Sequence, residues 1–235
     1  MENQWRAIWN RRVASDELLA GGWQDVFLRL KALNGFDVVD GGIPLSSLLA
    51  QYERTKELLL LSAGQSVFEV GCGAGANLYL FARDGIAVGG TDYAAPLIDA
   101  ARRMLPGARE LSCGEADTFD TSQKYNAALA NSVFSYFPDE DFAARALIRM
   151  CEKTRGAIGL IDLHDIEKKQ AFHDYRVATV PNYEERYKGL DKLFYSHTFF
   201  EDFARRHGLR VEFPAIEMNG YWNTPFVFHC FMYRK

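Results

Sequence analysis

Between Gln65 and Leu163, short β-rich runs alternate with helical segments, and the first of these runs ends directly in glycines. No other feature constrains the chain as strongly. Strands alternating with helices at this spacing imply parallel βαβ units wound on both faces of one sheet. Ser66–Val70 reads as the first strand and Ala76–Asp84 as the helix after it. Ile86–Thr91 is the second strand, and Ala94–Leu105 a helix opened by Asp92. Ala108–Ser112 is a weak third strand, Tyr125–Asn131 a fourth, and Asp139–Glu152 a helix following Pro138. Ala157–Leu163 is almost wholly apolar, as the buried centre of a parallel sheet requires.

The flanks differ. Residues 1–60 read as helical, with Trp5, Ile8, Trp9 and Val13 at helical spacing, then Trp23, Val26, Phe27, Leu30 and Leu33. The glycine-rich stretch Gly35–Gly42 breaks the pattern, and Pro44 suits the first turn of a helix running to about Leu60. Near the C-terminus, Ser196 can cap a helix over Ser196–His207. Leu209–Met218 and Phe226–Tyr233 then read as two strands, and the short link containing Gly220 and Asn223 allows only an antiparallel pair. Residues 164–195 interrupt the alternation and are dense in Tyr, His, Arg and Glu. They follow the carboxyl end of a central strand, where ligands bind in open α/β sheets.

The glycines sit in Val67-Phe68-Glu69-Val70-Gly71-Cys72-Gly73-Ala74-Gly75, between a strand and a helix. Glycine there lets the backbone approach a ligand closely. The spacing is G-x-G-x-G, whereas nicotinamide enzymes with this kind of sheet use G-x-G-x-x-G. Glu69, two places before the first glycine, would repel a pyrophosphate but suits the cationic amino end of an amino-acid-like ligand. In Thr91-Asp92-Tyr93, Asp92 at the second strand's end can accept ribose hydroxyls, or merely cap the next helix.

These residues resemble class I S-adenosylmethionine-dependent methyltransferases: E-V-G-C-G-A-G is similar to their first motif, and Asp92 to the acid that follows it. Gly114-Glu115-Ala116-Asp117 resembles the block whose acid holds the adenine amino group, with Glu115 in that place and Asp117 competing for it. Asn131-Ser132-Val133-Phe134 resembles the fourth-strand block that contacts the methionine part. The resemblance implies a doubly wound, Rossmann-like α/β fold, a seven-stranded sheet mostly parallel with an antiparallel C-terminal strand. It implies S-adenosyl-L-methionine as cofactor, held by Glu69, Gly71, Cys72, Gly73, Gly75, Asp92, Tyr93, Glu115, Ala116, Asp117, Asn131, Ser132 and Val133. Within a single domain over 1–235, residues 1–60 are then a lid or cap and 65–163 the cofactor-binding core. Residues 164–195 are a substrate-side insertion, and 196–235 the C-terminal helix and strand pair.

The acceptor is expected to be a small polar molecule, methylated on oxygen or nitrogen. Acidic residues outnumber basic ones, 31 to 27, and no basic stripe is visible, which argues against nucleic acid. No apolar run reaches the roughly 18 residues of a membrane span. The N-terminal MENQWRAIWNRR has no apolar stretch of signal-peptide length. Cys72, Cys113, Cys151 and Cys230 form no C-x-x-C pair, so no metal site is expected. A cytoplasmic protein, monomeric or homodimeric, fits these features. If the acceptor must lose a proton, His164 at the end of the fifth strand, with Asp165 beside it, is the candidate base. Tyr136, His173, Tyr175, Tyr183, Arg186 and Tyr187 are candidate acceptor contacts, and Phe137, Tyr221 and Trp222 candidates for closing the pocket. Two other readings stay open: a nicotinamide-dependent Rossmann oxidoreductase, and a protein that binds S-adenosylmethionine without turnover.

Overall fold

The computed structural model describes residues 4–36, 38 and 42–235. Its strands are β1 (Ser66–Val70), β2 (Ala87–Asp92), β3 (Glu110–Cys113), β4 (Tyr125–Asn131), β5 (Thr154–His164), β6 (Leu209–Glu212) and β7 (Val227–Arg234). They form one seven-stranded sheet in the order β3-β2-β1-β4-β5-β7-β6. β1 pairs in parallel with β2 and β4, and β7 runs antiparallel to both its neighbours. The chain order reverses at β1, leaving a crevice above the carboxyl ends of β1 and β4, the position at which open α/β sheets bind ligands.

Alternating side chains build a core on each face. Val67, Ala127, Leu129 and Phe231 pack toward α2 (Trp23–Leu33), α3 (Leu45–Leu58), α4 (Ala76–Arg83) and α5 (Ala95–Met104). Their neighbours Phe68, Ala128, Ala130 and Cys230 pack toward α6 (Glu140–Lys153) and α9 (His197–Arg206). Asp139 caps α6 by accepting from Phe142 N at 2.7 Å, and Ser196 caps α9 by accepting from Phe199 N at 3.2 Å. A short α1 (Gln4–Trp9) precedes α2, and the interrupting segment folds into α7 (Lys169–Thr179) and α8 (Tyr183–Arg186). Residues 37 and 39–41 of the glycine-rich stretch, like residues 1–3, lie outside the described residues.

Two strand readings change. β5 begins at Thr154 and ends at His164, longer than the apolar run. β6 stops at Glu212 and does not reach Met218. Pro214 has no N–H for the ladder, so a strand cannot continue through it at full pairing. The chain instead leaves the sheet, buries Ile216 and Met218 against the core that contains α2, and brings Tyr221, Trp222 and Asn223 over the crevice.

Candidate active site

The turn between β1 and α4 has left-handed backbone at Gly71 (φ 69°), Gly73 (φ 54°) and Gly75 (φ 82°). Gly71 N and Cys72 N both donate to Thr91 O, at 2.8 and 3.1 Å, which pins the turn to β2. Asn34, just past α2, braces it from outside. Its Nδ2 donates to Cys72 O at 3.2 Å, and its Oδ1 accepts from Ala74 N at 2.7 Å. Asp92 combines the two roles its position allows: Oδ1 accepts from Ala94 N at 2.8 Å, opening α5, while Oδ2 accepts from Gly73 N at 2.9 Å. Each oxygen keeps a lone pair for a ligand hydroxyl. Burial raises the Asp92 carboxyl above its ordinary value.

A cavity of about 340 Å³ opens above this turn. Of the sequence-derived residues, Glu69, Gly71, Gly73, Asp92, Tyr93, Glu115, Ala116, Asn131, Ser132, Val133, Tyr136 and His164 line it. Phe137, Tyr221 and Trp222 line it too, as does Trp9 from α1. Cys72 and Gly75 belong to the turn but sit behind its cavity face. Asp117 turns outward to Arg145 at 3.0 Å, whereas Glu115 faces the cavity and meets Arg6 of α1 at 2.6 Å.

Beside the turn lies a buried acid–amide–base series. Asn77 Nδ2 donates to Glu69 Oε1 at 2.6 Å, and Asn77 Oδ1 accepts from Lys31 Nζ at 2.9 Å. Glu69 and Lys31 are each 2% exposed, and Glu69 Oε2 has no partner. Burial drives both toward neutrality, the carboxyl up to about 8 and the ammonium down to about 8.

The opposite wall is built on a strained residue. The β5–β7 register shifts between Leu160 and Leu163, and Asp162 within that irregularity takes φ 66°. Such backbone costs a non-glycine residue about 1–3 kcal/mol. Here it aims a buried carboxylate at the crevice, where Oδ2 accepts from Ser132 Oγ at 2.6 Å and Tyr221 OH at 2.7 Å. Oδ1 accepts from Asn223 Nδ2 at 3.3 Å, which fixes the orientation of that amide. The same Nδ2 lies 3.3 Å from His164 Nε2, so Nε2 is the acceptor and the neutral ring carries its proton on Nδ1. His164 Nδ1 and Asn223 Oδ1 are both buried without partners. Burial, then the nearby Lys192 ammonium, holds His164 well below its ordinary value.

This geometry revises the acid–base expectation. The one lone pair of neutral His164 is directed at Asn223, so the ring has none free to accept a proton from a substrate. Asp165 does not line the cavity; its Oδ1 accepts from Glu167 N at 2.9 Å and caps the following 3-10 turn. Nor does the cavity include His173, Tyr175, Tyr183, Arg186 or Tyr187. His173 Nε2 meets Glu184 at 2.6 Å, and Arg176 Nη2 donates to Tyr187 OH at 3.1 Å. Those bonds tie α7 to α8. Tyr183 packs on Tyr187, Tyr175 stacks on the outer side of the site against Trp222, and Arg186 is exposed.

The sequence reading missed Lys31, Asn34, Asn77, Asp162, Lys192 and Asn223 as cavity residues. Two left a signal. Phe27, Leu30, Lys31 and Asn34 follow i, i+3, i+4, i+7 spacing, which places two polar residues on the buried stripe of α2. Asp162 is the lone polar residue in the otherwise apolar run 157–163.

His164 and His229 are both lowered, chiefly by burial, so the unfolded chain takes up protons near pH 6.5 that the fold refuses. Their contribution to stability is complete above that pH and is lost as pH falls. Each is worth up to about 1.4 kcal/mol per pH unit below it. Urea midpoints at pH 7.5, 6.5 and 5.5 are expected to fall only across the last interval, where the two imidazoles together outweigh Glu69, whose raised carboxyl favours the fold as pH falls. An unchanged midpoint there contradicts the assignment.

The site fits S-adenosylmethionine on its own features. Glu69 supplies an unpartnered buried oxygen at one end, Asp92 an acceptor in the middle, and Glu115 an acid at the other end. Among the described residues, no group of three or more His, Cys, Asp or Glu is placed to hold a metal ion. A family model described as a methyltransferase domain matches residues 68–156. A search of curated proteins finds no match. Solved structures similar to the chain include the plantazolicin methyltransferase BpumL in complex with S-adenosylhomocysteine, at 14% identity and TM-score 0.62, covering 99% of this chain and 98% of that one. Magnesium protoporphyrin IX methyltransferase from Synechocystis PCC 6803 is similar at 12% identity and TM-score 0.60, covering 99% and 96%. CalS10, an amino pentose methyltransferase from Micromonospora echinaspora, is similar at 14% identity and TM-score 0.59, covering 100% and 98%. A methyltransferase-domain match over residues 68–156 and a seven-stranded sheet of this order make the chain similar in fold to these S-adenosylmethionine-dependent methyltransferases.

Proposed function

We propose that the chain is a class I S-adenosylmethionine-dependent methyltransferase that methylates an oxygen or nitrogen of a small polar molecule bound between the glycine turn and the Asp162 wall. The observation that carries this reading is the pair of buried polar atoms with no partner, His164 Nδ1 and Asn223 Oδ1, in residues that line the cavity. A buried donor and a buried acceptor left unspent in residues that line one cavity each cost stability unless a ligand completes them. A hydroxyl or amide group of an acceptor does so. The names of the similar structures agree with a small acceptor, since they describe enzymes of a porphyrin, an amino pentose and plantazolicin.

The cofactor supplies a methyl group already joined to a good leaving group. The chain's own residues then have to bind, align and exclude water. Gly71, Gly73 and Asp92 fix the adenosyl part, with Glu115 at the adenine end. Trp9, Tyr136 and Trp222 shield the cavity from solvent. His164 N–H and Asn223 Oδ1 orient the acceptor, and alignment of this kind accounts for much of such a rate. His164 has no lone pair to spare, so the acceptor atom attacks as a neutral amine or a readily ionised hydroxyl.

Incubation with methyl-labelled cofactor and a panel of polar metabolite-sized acceptors, alongside tRNA, DNA and protein, tests the reading. Label is expected in the low-mass fraction. With the acceptor in hand, His164→Asn is expected to raise KM more than it lowers kcat, with no titration near pH 6.5 in the wild-type profile. Label confined to macromolecules overturns the proposal.

A further inference from the structure

Lys192 is a half-buried cation that lines the cavity beside His164 and Tyr136. The chain on either side of it sets its place. Leu193 N donates to Ser135 O at 2.9 Å, and Asp191 O accepts from Trp5 Nε1 at 2.9 Å. Lys192 is thereby held against the turn that follows β4, with Nζ 4.1 Å from the centre of the Tyr136 ring and 5.4 Å from that of Trp5. An ammonium has three donors. Among the described residues its one hydrogen-bond acceptor is Ser135 Oγ, at 3.5 Å, the long limit for such a bond. The rings add a cation–π attraction but accept none of the remaining N–H groups in the way an oxygen does.

No carboxylate among the described residues pairs with this charge. Four acids line the cavity, and each is engaged elsewhere. Glu69 accepts from Asn77, and Asp92 from Gly73 N and Ala94 N. Asp162 accepts from Ser132, Tyr221 and Asn223, and Glu115 pairs with Arg6. Lys31, the other lysine of the cavity, is bonded to Asn77 beside the glycine turn. The wall that holds His164 and Asn223 therefore carries a single ammonium with unspent donors.

Resting on the methyltransferase reading, we propose that the acceptor carries a carboxylate, which the Lys192 ammonium holds while His164 Nδ1–H and Asn223 Oδ1 engage a second polar group. A lone ammonium matches one negative charge, so a carboxylate suits it better than a phosphate dianion. Lys192 also sets specificity by repulsion, because a cationic acceptor would place like charges side by side.

Benzoate, benzamide and phenyl phosphate are the probes: one ring bearing a carboxylate, a neutral amide or a dianion. Each is titrated into the protein loaded with S-adenosylhomocysteine and followed by tryptophan fluorescence, since Trp9 and Trp222 line the cavity. Wild type is expected to bind benzoate about 10- to 100-fold more tightly than benzamide, and more tightly than phenyl phosphate. Lys192→Met keeps an apolar stem over the rings and removes the charge. It is expected to bind benzoate and benzamide within about twofold of each other. A preference for benzoate that survives in Lys192→Met overturns the proposal. So does a wild type that binds benzoate no better than the other two probes, or binds none of them, whether or not the variant folds. In those cases S-adenosylhomocysteine is still bound and the methyltransferase reading stands. A wild type that takes up no S-adenosylhomocysteine overturns both.

Discussion

Asp92→Ala is expected to reduce affinity for S-adenosylhomocysteine by two to four orders of magnitude and to remove methyl transfer with it. The carboxylate can accept both ribose hydroxyls, and charge-assisted bonds of this kind contribute about 1.5–3 kcal/mol each. Two of them correspond to a factor of roughly 10²–10⁴ in the dissociation constant. The substitution also strands Gly73 N and Ala94 N, which now donate to Asp92 at 2.9 and 2.8 Å. The glycine turn then loses its tie to the first residues of α5. Titration calorimetry measures the loss, and a melting curve of the ligand-free variant separates it from unfolding. Asp92→Asn refines the test. An amide keeps the shape but has a single acceptor oxygen, so it can retain only one of the two backbone bonds without rotation. It is expected to fall between wild type and alanine.

Gly71→Ala is the second large effect, and it reaches function through packing. Gly71 has φ 69°, and a Cβ there would lie 2.3 Å from Val133 Cγ2. The left-handed backbone costs a non-glycine residue about 1–3 kcal/mol, and forced overpacking costs a similar amount. A total of about 3 kcal/mol lowers the melting temperature of a chain this long by roughly 10 °C. Val133 is stiff at χ1 and lines the cavity, so it moves into ligand space and cofactor affinity falls too. Gly71→Ala combined with Val133→Ala should recover stability beyond the sum of the single changes. If Gly71→Ala alone melts and binds like wild type, the turn is not the tightly packed cradle described here.

The core of the fold was readable because local rules and the tertiary structure agree there. Ser66–Val70 and Tyr125–Asn131 were delimited as short, mostly apolar runs with glycine or polar residues at their ends. Asp92 was readable for the same reason: it terminates β2, the next strand after the glycine turn and α4. The misreadings have different physical origins. Lys31 sits on the apolar stripe of α2, but a lysine there also reads as an ordinary surface residue until Asn77 and Glu69 are seen beside it. Asp162 acquires its position through a shift in strand register and a left-handed φ, neither of which has a local sequence signature. Its partners Tyr221 and Asn223 arrive through a loop that was read partly as strand. The aromatic and charged residues of 169–187 were expected at the acceptor because their composition suits a polar site. Composition does not specify which way a helix faces, and in α7 and α8 those groups largely bind one another.

The cavity above Gly71, Gly73 and Asp92 must be a seat for an adenosyl amino acid. Titration of S-adenosylhomocysteine into the purified wild-type protein, with NAD as the comparison, addresses that claim without knowledge of the acceptor. A saturable one-to-one heat with S-adenosylhomocysteine and none with NAD is the expected result. Silence with S-adenosylhomocysteine, or saturable heat with NAD in its place, would contradict it.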